Sequence, residues 1–145
     1  MGQINYARVA AGTIVAGAFY FLADALIHGG LLAAGHMAAI AAAGGSQRQD
    51  PTSYAYFVAF DVGKGLVAVL LYAAARPRFG AGVKTAMRAG VLAWFATEAL
   101  PQISAMPFPF YEKAFYWEWI ALEIIPMTAG AVLGAWVYKE PADGA

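Results

Sequence analysis

YARVAAGTIVAGAFYFLADALIHGGLL, Tyr6–Leu32, is apolar along almost its whole length yet contains an aspartate and a histidine, Asp24 and His28. The run exceeds the roughly 20 residues a helix needs to cross a bilayer's hydrocarbon core. It lacks the period-two alternation of a barrel strand, so it reads as a membrane helix. A signal peptide is the competing reading, with AGA at Ala16–Ala18 as its cleavage site. The apolar run continues well past that point and only Arg8 precedes it, so a retained helix is expected.

Three further apolar runs come after it, about Thr52–Ala75, Val83–Ala105 and Phe110–Tyr138. Composition agrees: 61% of the 145 residues are hydrophobic and 12% charged, against about 45–50% and about 25% in soluble domains. The expected fold is all-α, a single membrane domain over 1–145 built as a four-helix transmembrane bundle. Nine basic and nine acidic residues cancel, so no nucleic-acid footprint is present. The chain has no cysteine, which removes disulfides, thiolate catalysis and thiolate metal sites.

Basic residues set the orientation. Arg76, Arg78, Lys84 and Arg88 cluster at the second connection, ARPRFGAGVK, and Arg8 and Lys139 fall on the same side if four helices alternate. The other side has Arg48 and Lys113, offset by Asp50 and Glu112. Both termini are therefore expected in the cytoplasm, N-in/C-in. FGAGVKTA is no phosphate loop, because Val83 separates Gly82 from Lys84 and the context is a loop between membrane helices.

In the first loop, GHMAAIAAAGG either continues the first helix or forms a short interfacial one, and Asp50-Pro51 reads as a helix start. In the third, MPFPFYEKAFYWEW carries Phe108, Phe110, Tyr111, Phe115, Tyr116, Trp117 and Trp119. It reads as an interfacial aromatic belt, with an apolar lid or docking surface as alternatives.

Each expected span carries one deep carboxylate: Asp24, Asp61, Glu98 and Glu123. A charge at the bilayer centre costs at least roughly 2.5–3.5 kcal/mol, so such groups usually face protein or water. Because alternate helices run in opposite directions, all four lie about 10–17 Å from one side at about 1.5 Å rise per residue. Thr13, Gly17, Tyr20, Asp24 and His28 form one stripe, and Tyr54, Asp61, Lys64 and Tyr72 another, with Lys64 placed to pair with Asp61 at i, i+3. Trp94, Glu98 and Gln102 align, as do Trp119, Glu123, Gly130 and Gly134, the two glycines making a small-xxx-small contact. Pro101 and Pro126 each come three residues after a deep glutamate and free a carbonyl near the same layer.

The polar layer admits two functional readings. In the first, Asp24, His28, Asp61, Lys64, Glu98 and Glu123 form a buried polar layer that binds or relays a cation, a proton or a small ligand. Asp24 and Glu98 would supply charge, Lys64 would hold Asp61, and His28 would titrate near neutral pH. In the second, the acids are helix-to-helix glue, at about 0.6 kcal/mol per contact. The chain is then an accessory subunit of a larger membrane complex or a homo-oligomer. A di-iron centre needs two Glu-x-x-His elements that are missing. Paired-histidine haem ligation is disfavoured because His36 lies beyond the first span, and Ser53 and Ser104 have no histidine partner. No enzymatic activity is expected, and the sequence specifies no cofactor.

LLYAAARPRFGAGVKTA (Leu70–Ala86), GAVLGAWVYKE (Gly130–Glu140) and the Gly-rich start ARVAAGTIVAG resemble a group of small bacterial four-helix membrane proteins of unknown function. The resemblance implies an integral protein of the bacterial cytoplasmic membrane. It assigns no site residue.

Overall fold

The computed structural model describes residues 4–46 and 50–138. Among these, α1 (Tyr6–Leu26) runs through a π-helical turn, Ile27–Leu31, into α2 (Ala33–Ala42). Next come α3 (Pro51–Phe79) and α4 (Val83–Trp94), which passes through a second π-turn, Phe95–Ala99, into α5 (Leu100–Ala105). The last helix is α6 (Lys113–Val137). The architecture is an all-α bundle in which α1, α3, α4 and α6 pack in cyclic order. Three helices, Tyr6–Leu31, Pro51–Phe79 and Lys113–Val137, are long and apolar enough to cross a membrane. Large apolar side chains such as Leu22, Leu26, Phe57, Ile125 and Trp136 face outward, as lipid contact requires. The chain is an integral membrane protein.

Local chemistry fixes the helix ends. The Asp50 carboxylate accepts from the backbone N–H of Thr52 and Ser53 at 2.9 and 3.0 Å, and Pro51 supplies a preset first helical residue. α3 ends at Gly80, whose φ of 80° suits a residue without a side chain. It runs further than the Ala75 boundary expected from sequence. Arg76, Pro77, Arg78 and Phe79 are helical, not part of the loop, because a proline in the last turn removes one bond without stopping the chain. Arg48 and Lys139, two of the residues that set the expected orientation, lie outside the described residues.

Small residues let the helices approach closely. A Cβ on Gly65 would lie 2.7 Å from the Thr13 carbonyl oxygen and 2.8 Å from the Gly17 nitrogen, so α1 and α3 touch backbone to backbone. Likewise, a Cβ on Gly12 would lie 2.7 Å from the Gly134 carbonyl oxygen, joining α1 to α6. Gly130 opposes the Tyr20 ring, and the Tyr20 hydroxyl donates to the Met127 carbonyl at 2.9 Å. The small-xxx-small pair expected on the last helix is therefore the seat of α1. In hydrocarbon, where apolar burial gives helices little reason to associate, such contacts carry the packing. The core continues through Ala16, Ala68, Val69, Ala93, Met127 and Ala131.

Candidate cation site

One carboxylate from each of α1, α3, the second π-turn and α6 enters the same layer. The layer has two parts that share Asp24.

The first part surrounds Lys64, which is 1% exposed. Its Nζ donates to Asp24 Oδ2 at 2.5 Å, and pairs with Asp61 Oδ1 at 3.1 Å and Glu98 Oε1 at 3.3 Å. The expected i, i+3 pair with Asp61 is present, but Lys64 also joins α1 to the second π-turn. Glu98 Oε2 accepts from the Trp119 indole N–H at 3.3 Å, which ties α6 to the same cluster. Asp61, Glu98 and Lys64 are all buried; Asp61 Oδ1 and Glu98 Oε1 are held by the ammonium charge without an aligned hydrogen bond.

The second part is Asp24, His28 and Glu123. Each offers one ligand atom, and the three atoms lie within 4.8 Å of one another. Glu123 is 0% exposed, with Oε1 3.1 Å from His28 Nε2. Neither Glu123 oxygen has a well-aligned hydrogen bond among the described residues, and Asp24 Oδ1 also lacks a partner. Buried carboxylate oxygens left this way carry a desolvation cost, and such groups call for an ion or polar ligand. An ion about 2.1 Å from each donor spans at most about 4.2 Å between donors, so a small rotation of the side chains closes the set. This buried acidic cluster can coordinate a cation or small polar group.

A further residue of the site, His36, escapes a reading by helical spacing. His28 Nδ1 lies 3.1 Å from His36 Nε2, and His36 Nδ1 lies 3.0 Å from the Tyr111 hydroxyl. Burial, followed by the neighbouring His28, pushes His36 down to about 4. His36 is thus neutral at physiological pH, with one donor and one acceptor nitrogen. If His28 Nδ1–H donates to His36, the His28 Nε2 lone pair is free for a ligand, the usual outer support of a metal-binding imidazole.

The π-turn explains why spacing conceals this contact. Eight residues at about 100° each leave His28 and His36 about 80° apart on a regular α-helix. The π-turn, with its extra residue, and the non-helical Leu32 that follows bring the two rings within hydrogen-bond distance. The signal available in the sequence is Gly29-Gly30, which weakens a regular helix at that point.

The third-loop aromatics divide into two groups, apart from Tyr116, which is buried and donates its hydroxyl to the Ala105 carbonyl at 3.3 Å. Tyr111, Phe115 and Trp119 pack around His36 with ring centroids 5.5, 5.1 and 5.3 Å away, while Phe108, Phe110 and Trp117 are exposed. Part of the expected belt therefore covers the histidines. A groove of about 630 Å³ between Gly35–Ala42 of α2 and the loop from Met106 onward reaches Tyr111 and Phe115. Gly35 makes room there, since a Cβ would meet the Phe115 ring at 2.1 Å.

Tyr54, placed by spacing on the Asp61 face, is 54% exposed. It sits in the first turn of α3. Trp94 sends its indole N–H to the Ile120 carbonyl at 2.9 Å, and so serves the α4–α6 contact. Comparison with family models, with curated proteins and with solved structures returned no match.

Proposed function

We propose that the chain is a four-span membrane protein with cytoplasmic termini. It binds one divalent metal ion at Asp24, His28 and Glu123 in the outer half of the bundle and performs no chemistry of its own. The observation that carries this reading is the convergence of an imidazole with two carboxylates, of which Asp24 Oδ1 and both Glu123 oxygens are buried without an aligned hydrogen bond among the described residues. Charge supports a divalent ion. Four carboxylates face one ammonium, so a doubly charged ion offsets most of the excess in a medium where uncompensated charge is costly. One nitrogen and two oxygen donors suit ions such as Mn2+ and Zn2+. The groove is lined by Tyr111 and Phe115, which pack on His36, and the orientation expected from the basic residues puts it on the outer side.

Titration of the detergent-solubilised chain with Mn2+ tests this directly. One saturable ion per chain is the expected result; absence of saturable binding would remove the metal reading. Replacing His36 with phenylalanine keeps a ring among Tyr111, Phe115 and Trp119 but removes the bond to His28. Affinity for Mn2+ is then expected to fall about 10–100-fold, the usual cost of losing an outer-shell partner.

The accessory-subunit reading draws on a second groove of about 530 Å³, lined by Met87, Ile125, Val132 and Trp136 on α4 and α6. It makes no use of the Asp24 and Glu123 oxygens that lack an aligned hydrogen bond, so the metal reading is preferred.

A further inference from the structure

We propose that Lys64 fills a second cation position, its ammonium acting as a tethered ion that restricts the layer to one exchangeable metal ion. The inference deepens the proposed metal binding and rests on it for the first ion. Three carboxylates from three different elements surround Nζ at 2.5, 3.1 and 3.3 Å. The rings of Tyr20 and Phe60 stand 5.6 and 5.1 Å away, their faces toward the charge. One aligned hydrogen bond, to Asp24, and two further carboxylate charges within 3.3 Å hold the ammonium, with ring faces as walls. The same surroundings, with the lysine removed, offer oxygen donors of the kind that hard divalent ions prefer.

Asp24 links the two positions. Its Oδ2 is taken by Lys64, and Oδ1 is the oxygen without a partner. An ion at Asp24, His28 and Glu123 and an ion in place of Lys64 would therefore be bridged by one carboxylate. Asp61 and Glu98 pair with Lys64, and Glu98 also accepts from Trp119, while His28 pairs with Glu123. Lys64 thus sets the number of ions and leaves the first position to the imidazole.

The test counts Mn2+ bound to the full chain in detergent and records its electron paramagnetic resonance. Wild type and Lys64→Arg should bind one ion with an isolated spectrum. Lys64→Ala should bind two, with the broadening that a shared carboxylate imposes on two close Mn2+ ions. If Lys64→Ala binds one ion and shows no broadening, the inference is overturned. Should that variant fail to insert, Lys64→Ala combined with Asp61→Asn restores the net charge and keeps Asp24 and Glu98. It should still bind two ions, the second at least about tenfold more weakly for its lost ligand, and a single ion there also overturns the inference. Wild type binding none while Lys64→Ala binds one would instead refute the Asp24–His28–Glu123 site and leave Lys64 as the occupant of a cation position.

Discussion

Replacing His28 with alanine is expected to weaken Mn2+ binding by at least about a hundredfold, more than loss of an outer-shell partner costs, while leaving the bundle folded. His28 is the sole nitrogen donor in the triad. Its removal leaves Asp24 anchored to Lys64 and takes from Glu123 the imidazole that lies 3.1 Å away. The fold should persist because the α1–α6 seat at Gly12 and Gly134 lies along another part of the helices. Isothermal titration gives the affinity, and thermal unfolding in detergent separates loss of binding from loss of structure. An unchanged affinity would show that the ion is not bound through the imidazole.

The second large effect lies in the packing. Gly65→Val should cost about 3 kcal/mol or more, at the upper end of overpacking penalties. Its Cβ would meet backbone atoms, the Thr13 carbonyl oxygen and the Gly17 nitrogen, and these cannot rotate away. α1 and α3 must then separate next to Lys64. That strains the Lys64–Asp24 bond at 2.5 Å, so Mn2+ affinity should fall along with stability. Gly63→Ala in the same helix is the control, because its Cβ would point into open space. Equal losses of stability for the two variants, read from thermal unfolding in detergent, would contradict the close-packing account.

The legibility of the fold and the site in the sequence varies with the kind of signal. Hydropathy marks the long helices because about 20 apolar residues in a row have few other uses. Counting depth along helices of alternating direction is enough to bring Asp24, Asp61, Glu98 and Glu123 into one layer, since helical rise is nearly constant. The i, i+4 and i, i+3 spacings likewise place His28 beside Asp24 and Lys64 beside Asp61.

Most of the site's hidden contacts share one cause. Regular spacing holds only within a regular helix, and both π-turns fall at the site, one holding His28 and the other Glu98. His36 is left out because it lies beyond the first span, and the turn at Ile27–Leu31 is what brings it back against His28. Which acid Lys64 would choose is hidden as well. That choice depends on the helix order α1, α3, α4, α6, and intrahelical spacing carries no information about it. Tyr54 departs from its expected face for a different reason, because a face defined by periodicity does not say which of its positions a neighbouring helix covers.

The central claim is that one imidazole and two carboxylates of this layer hold a metal ion. Electron spin-echo modulation of the Mn2+-loaded protein, prepared with natural and with 15N-labelled histidine, tests it most directly. The account predicts modulation from a single directly coordinated imidazole nitrogen that changes on labelling. Bound Mn2+ with no histidine nitrogen in its coordination sphere would contradict it.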